Sequence, residues 1–310
     1  MPDVRHGGGT TLRMTHDGAQ RASLRSDQES GTTVEPSSVT APRRRRLTRL
    51  APLAAAFLGL AVMGILPAAT SAATAPKVVV VVGPVESTTS RYIADGKALA
   101  AQARAYGGAV TEIYSPNATW SKVKTALQGA DLLIYLGHGN GWPSPYAPFR
   151  ASSKDGLGLN ATAGSGNSNV KYYGESYLIS YIRMAPHAVV ILNHLCYSAG
   201  NSEPGRADPT RTVAKKRIDN FGAGFLRTGA DVVFAEPRGN PAYILDDLFH
   251  SSKTMKQIFW DSPDATHTYS FMFTSTRTSG AVAISDPYRP GKYYRSVVGF
   301  IGLRATTWRS

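Results

Sequence analysis

Apolar positions along the chain cluster into short β-branched runs, too brief for ordinary helices, separated by stretches with helical spacing. Lys77 to Val82, KVVVVV, predicts a fully buried strand that Gly83-Pro84 ends. An Ala-rich helix is expected over Ser90 to Tyr106, then a second strand over Ala109 to Tyr114. Ala118 to Leu127 reads as a helix with Trp120, Val123 and Leu127 as its apolar stripe, and Asp131 to Leu136 as a third strand. Between 140 and 170 the periodicity gives way to Gly, Ser, Asn, Pro and aromatics, which predicts a long functional or mobile loop. A helix follows over about Tyr173 to Met184, and a fourth strand over His187 to Leu195. Beyond the polar stretch Tyr197 to Asp208, a helix is expected over Pro209 to Arg227, a fifth strand over Ala230 to Glu236 and a helix over Pro241 to Trp260. The tail from Thr266 alternates enough for one or two edge strands. Strand and helix in this order predict an α/β fold, a mostly parallel sheet with helices on both faces. No internal repeat is visible.

Two earlier segments do not belong to this pattern. Residues 1–42 are polar, without apolar periodicity, and read as a disordered or mis-called extension. Residues 43–73 carry Arg43 to Arg46 and Arg49, an apolar run from Leu50 to Leu66, and the small-residue end PAATSAATA. That order describes a secretory signal peptide, with cleavage expected after Ala72 or Ala73. An uncleaved anchor is the rival, since roughly 17 apolar residues lie at the lower limit for a bilayer span; Pro52, the alanines and the AxA-like end favour cleavage. Arg45 and Arg46 also invite a twin-arginine route, although the residues after them match poorly. Either way residues 74–310, one domain, are expected to be secreted or held at the cell surface.

That domain stays basic, with 25 Lys and Arg against 16 Asp and Glu. The positive residues are dispersed and no cluster interleaves with aromatics, so attraction to an anionic cell wall fits better than nucleic acid. No cofactor is expected.

The chemistry centres on Cys196, the only cysteine, in VVILNHLCYSAG at Val189 to Gly200. A lone cysteine in an exported protein is a free thiol, either a small buried hydrophobe or a nucleophile. A second apolar run with the same design, DLLIYLGHGNG at Asp131 to Gly141, ends in His138 between two glycines. In an open α/β sheet, sites form beyond the carboxyl ends of parallel strands. If these two runs are neighbouring strands, a thiol and an imidazole meet at one edge, and the imidazole takes the thiol's proton. Gly139 lets the backbone approach a substrate carbonyl, and its N–H with that of Cys196 forms a candidate oxyanion hole.

YLGHG at Tyr135 to Gly139 and LCYSAG at Leu195 to Gly200 resemble the His-Gly and Cys signatures of caspase-like cysteine peptidases, the group of caspases, metacaspases, legumains, gingipains and CHAT-domain peptidases. AGFLRTGADVVFAE, Ala223 to Glu236, is similar to the helix, glycine and strand that follow the cysteine in metacaspases and CHAT domains. The resemblance covers roughly Lys77 to Trp260 and implies a caspase-like three-layer sandwich whose third strand delivers the histidine and whose fourth delivers the cysteine. It implies an exported thiol protease with a peptide or protein substrate, Cys196 as nucleophile, His138 as base and leaving-group acid, and Gly139 with the Cys196 amide as oxyanion hole. It also implies that the turn after the next strand lines the specificity pocket, which points to Glu236 and Arg238; a surface ion pair between these two is the bland reading. Metacaspases carry an acidic residue two positions before the cysteine where this chain has His194, so preference for a basic residue before the cut does not carry over.

His194, two positions from Cys196, is expected on the same strand face, where it replaces His138 as base, helps hold the thiolate and lines the substrate site, or is a satisfied strand-end histidine. A metal site from His138, His194 and Asp155 or Glu203 matches no zinc spacing. His187 and His250 fall within predicted elements and read as structural, and His267 receives no role. Trp142, Tyr146, Phe149, Tyr172 and Tyr173 suggest another class of function, a catalytically silent caspase-like fold serving as a cell-wall or peptide-binding module, in which Trp142 and its neighbours stack on ligand; their bland reading is packing of the long loop.

Overall fold

The computed structural model describes residues 74–310; the extension expected over 1–42 and the leader over 43–73 lie outside the described residues. The elements in chain order are β1 Lys77–Val82, α1 Thr89–Ala105, β2 Ala109–Tyr114, α2 Trp120–Ala126, β3 Leu132–Leu136, β4 Leu157–Asn160, β5 Val170–Tyr173, α3 Glu175–Tyr181, β6 Ala188–Asn193, α4 Arg211–Leu226, β7 Ala230–Glu236, α5 Ala242–His250, α6 Met255–Trp260, β8 Phe271–Thr274, β9 Val282–Ser285, β10 Ser296–Gly299 and α7 Ala305–Trp308. No helix among the described residues is long and apolar enough to cross a membrane.

The main sheet has eight strands in the order β2-β1-β3-β6-β7-β10-β9-β8. Its first five strands run parallel, and β10, β9 and β8 continue it antiparallel. The five buried valines of β1 explain the position of that strand, because side chains alternate and both faces are covered. Val79 and Val81 join Leu133, Val190 and Val233 in a core against α2, α3 and α4. Val78, Val80 and Val82 join Ile134, Ile191 and Phe234 in a second core against α1, α5, α6 and α7. The fold is therefore the expected α/β sandwich, a mostly parallel sheet between two helical layers.

The register places the chemistry. β3 and β6 are parallel neighbours with Leu136 opposite Asn193. Both chains leave the sheet at the same edge, His138 two residues after one strand and Cys196 three residues after the other.

Four expectations change. The stretch 140–170 is not all loop: Leu157–Asn160 and Val170–Tyr173 pair as an antiparallel hairpin. The reason is a tertiary anchor. The buried Tyr135 hydroxyl donates to Gly158 O at 2.9 Å and accepts from Gly158 N at 2.9 Å, which holds β4 over the sheet end. The tight approach explains two glycines: a Cβ on Gly137 would lie 2.4 Å from the Tyr135 hydroxyl, and one on Gly83 would lie 2.2 Å from Gly158 O. The helix expected over Pro241 to Trp260 breaks in two, because Thr254 caps a new helix, its hydroxyl accepting from Gln257 N while the Gln257 side chain accepts from Thr254 N. The tail supplies three strands rather than one or two, of which β10 pairs directly with β7. The fourth strand stops at Asn193, before His194.

Tyr135→Phe strips the buried Gly158 amide of this partner. The expected cost is about 1–3 kcal/mol, read as a lower urea midpoint at unchanged slope; an unchanged midpoint would show that the hairpin needs no such anchor.

Candidate active site

The turn carrying Cys196 is built by left-handed residues. His194 has φ 65° and Tyr197 φ 71°, one on each side of Leu195-Cys196. Non-glycine residues adopt this region at a cost and persist there only where surrounding bonds hold them. Here the bonds are visible: the Leu195 carbonyl accepts from Ser198 Oγ at 3.2 Å and from Asn201 Nδ2 at 3.3 Å. Asn193 Nδ2 donates to Glu236 O and to Gly239 O, at 2.5 and 2.9 Å, which ties the end of β6 to that of β7.

Arg217, buried on α4, fastens this turn to the one that follows β3. Its Nε donates to Pro143 O at 2.7 Å, its Nη1 donates to Gly200 O at 3.2 Å and Asn201 O at 2.9 Å, and its guanidinium lies 4.7 Å over the Tyr197 ring. Asn220, one turn on, donates to Trp142 O at 2.8 Å.

His138 and Cys196 both line one cleft of about 590 Å³, together with Gly139, Tyr146, Tyr172 and Glu203. The turns carrying them are in backbone contact: a Cβ on Gly139 would fall 1.9 Å from Cys196 O and 3.0 Å from Cys196 N. Among the described residues neither the Gly139 N–H nor the Cys196 N–H donates a hydrogen bond.

His138 does not hydrogen-bond the thiol here. Its Nε2 lies 3.2 Å from Glu86 Oε2, a carboxylate from the loop between β1 and α1. Sequence reasoning missed Glu86. Its signal was position, in the first strand-to-helix connection at the carboxyl edge of the sheet, the place the open-sheet rule marks for ligand groups. Burial pushes the Cys196 thiol up to about 11, and the negative charge of Glu203 adds to it. The resting thiol is neutral at pH 7.

The remaining expected residues divide. His194 does not share a strand face with Cys196, since the left-handed turn swings its ring onto Tyr92, stacked at 4.5 Å, with Nε2 3.2 Å from Asp95. Burial lowers its pKa, with the Asp95 hydrogen bond opposing. Both His194 and Cys196 nonetheless line a second cleft of about 380 Å³, which Arg238 also enters. Glu236 forms no surface pair with Arg238: it is fully buried, its Oε1 accepting from Tyr243 at 2.7 Å and from Arg295 Nε at 3.2 Å. Burial pushes its carboxyl up to about 7. Arg238 is exposed, its guanidinium 3.8 Å over the Tyr294 ring.

The loop aromatics separate in the same way. Tyr146 and Tyr172 line the His138 cleft, whereas Trp142 packs 6.0 Å from Phe149 and Tyr173 stacks 4.8 Å from Trp120. His187 and His250 pair with Asp231 and Asp246, and His267 stacks 4.5 Å from Trp260. Among the described residues no cluster of three or more potential metal ligands exists; His138, His194 and Asp155 are not brought together.

Asp155 is a support. Fully buried with φ 59°, it accepts from Trp142 N at 2.9 Å while its own N–H donates to Asn140 O at 3.0 Å. Its Oδ2 has no partner, and burial pushes the carboxyl up to about 7.

No family model and no curated protein matches the chain. Among solved structures it is similar to the Arg-specific cysteine proteinase gingipain R, at 11% identity and TM-score 0.30, covering 74% of this chain and 61% of that one. It is also similar to protein GSU0716 from Geobacter sulfurreducens, at 14% identity and TM-score 0.27, covering 60% of this chain and 86% of that one. The chain thus spans about three fifths of the length of gingipain R, and at these scores neither likeness assigns a residue its role.

Two expectations follow from the supports. Above about pH 4 the unfolded Asp155 carboxyl loses its proton while the folded one keeps it to about 7, so this residue makes the fold less stable as pH rises across that window. Asp155→Asn keeps the acceptor for Trp142 N and should flatten the fall in melting temperature between pH 5 and pH 8; an unchanged fall would remove Asp155 from the account. Gly139→Ala should disturb the cleft more than the fold, leaving circular dichroism near that of the parent while accelerating or blocking alkylation of Cys196; a thiol that reacts as before would show that the backbone contact is dispensable.

Proposed function

We propose that the protein is an exported cysteine peptidase of caspase-like type, in which Cys196 is the nucleophile and His138 the general base and acid. The observation that carries this reading is the meeting of two strand-end turns at one cleft, with thiol, imidazole and two unengaged N–H groups along its wall. The order of delivery, histidine after the third parallel strand and cysteine after the fourth of the main sheet, is the one the resemblance implies.

The chemistry follows from these groups. His138 takes the thiol proton as Sγ attacks the scissile carbonyl carbon, and the new oxyanion accepts hydrogen bonds from Gly139 N–H and Cys196 N–H. Each such donor contributes on the order of 3 kcal/mol to the transition state. The C–N bond then breaks, His138 returns the proton to the leaving amine, and a thioester remains on Cys196. Water, deprotonated by His138, adds to the thioester; collapse releases the carboxylic acid and restores the thiol. Because burial holds the resting thiol neutral, proton removal accompanies attack rather than preceding it. Glu86 acts through His138 as a positioning residue, holding the ring by Nε2 and leaving Nδ1 for the substrate side.

The neutral thiol is also the observation that favours the second reading, a silent fold that binds peptide or cell wall, with the exposed Tyr146 and Phe149 as contact rings. The two readings part on hydrolysis. Against a library of peptide anilides, Cys196→Ala and His138→Ala are expected to lose at least about a thousand-fold in kcat/KM, and Glu86→Gln roughly ten-fold in kcat with KM nearly unchanged. Hydrolysis that survives both of the first two substitutions, or binding by the parent without any turnover, would overturn the peptidase reading.

A further inference from the structure

Side chains alternate along β5, so Tyr172 enters the His138 cleft while Lys171 and Tyr173 turn away from it. On that far face Tyr173 opens a series with four-residue spacing, Tyr173, Tyr177 and Tyr181, which continues along one face of α3. Trp120, at the start of α2, touches all three. It stacks on Tyr173 at 4.8 Å and meets Tyr177 and Tyr181 edge-on at 5.5 and 6.3 Å.

The cluster is rooted in the core and opens to water. Tyr173 is buried, Trp120 and Tyr177 pack half-buried against the core, and Tyr181 is 52% exposed. Filling the core does not require these outer rings, because Leu178 and Ile182 already face it from the same segment. Among the described residues none of the three tyrosine hydroxyls is hydrogen-bonded to protein and none is a buried orphan, so the polar tips meet solvent.

The charge around the rings has one sign. Lys171 Nζ lies 5.4 Å from the centroid of Tyr173 and Lys124 Nζ 5.7 Å from that of Tyr181, one cation beside each end of the series. Neither is ion-paired: among the described residues the paired lysines are Lys253 and Lys292. α2 and β5 contain no acid, and the one acid of α3, Glu175, is buried and held by Arg277 at 2.7 Å.

We propose that this platform is a binding site separate from the cleft, for an acidic polysaccharide whose pyranose rings stack on the aromatic faces while its carboxylates meet Lys124 and Lys171. The C–H face of a pyranose carries partial positive charge and fits the negative face of an aromatic ring. Its hydroxyls match the tyrosine tips, and its carboxylates supply the missing counter-charge. The other classes of partner each fit only part of this. An acidic peptide brings carboxylates without a pyranose face, and a neutral sugar leaves both lysines unanswered. A lipid surface calls for exposed aliphatic side chains, whereas Leu178 and Ile182 are buried. The platform shares no residue with the His138 cleft, so it would hold the protein to a polymer with that cleft open, whatever chemistry Cys196 performs.

Affinity electrophoresis of the protein through gels holding polygalacturonate, dextran or polyglutamate, beside sedimentation with phosphatidylglycerol vesicles, separates these partners. Polygalacturonate is expected to retard the protein strongly, and the other three to hold it weakly or not at all. Tyr181→Ala should weaken polygalacturonate binding roughly ten-fold, the scale of one aromatic anchor, while Tyr181→Phe keeps most of it. Lys124→Gln and Lys171→Gln, which leave the aromatic packing in place, should each weaken it about two- to five-fold, and the corresponding Lys→Arg changes should not. Unchanged melting temperatures would assign these losses to binding; if Tyr181→Ala melts early, the lysine variants decide. Equal retardation by polyglutamate would reduce the effect to net charge and overturn the proposal. So would dextran or vesicles binding as well as polygalacturonate, retention indifferent to Tyr181 and both lysines, or no retention by polygalacturonate.

Discussion

The Cα of Gly139 lies against the backbone of Cys196, and the rest of the site depends on that contact. Two turns, each at the carboxyl end of its strand, are pressed together until no side-chain carbon fits between them. The contact brings Cys196 and His138 to one cleft. It is maintained from beneath: Arg217 bonds carbonyls of both turns from a single buried guanidinium, and Asp155 holds the Trp142 amide from the other side. Burying the Arg217 charge costs several kcal/mol before its bonds offset it, and what the two residues secure is the relative position of two loops.

The electrostatics of the resting site point one way. Burial and Glu203 keep the thiol protonated, and His138 leans on Glu86. A neutral thiol is a slow target for oxidation. Beyond Cys196 the second cleft holds charges that pair with one another, Glu203 with Arg206 and Asp208 with Lys292.

Much of this arrangement was legible from local pattern. The valines of β1, the runs before Gly137 and before Cys196, and the helix-strand unit through Glu236 follow from periodicity, because a strand buried on both faces needs only an apolar run and a stop signal. The hairpin at Leu157–Asn160 was not legible, since LGLN owes its conformation to a tyrosine hydroxyl more than twenty residues away in sequence. His194 was misplaced because one left-handed residue ends the period-two alternation on which face assignments rest. Glu236 carries the right charge for a specificity pocket, yet its partner, Arg295, comes from near the start of the last strand. Glu86 announces itself only after the sheet order is known.

The central claim is that Cys196 and His138 form one acyl-transfer site, and acid-quenched intact mass spectrometry during turnover of a peptide anilide tests it most directly. The account predicts a transient mass gain equal to the acyl part of the peptide, mapped to Cys196, removed by hydroxylamine as a thioester, absent in Cys196→Ala and greatly slowed in His138→Ala. Hydrolysis with no adduct on Cys196, or an adduct that forms as fast without the imidazole, would contradict it.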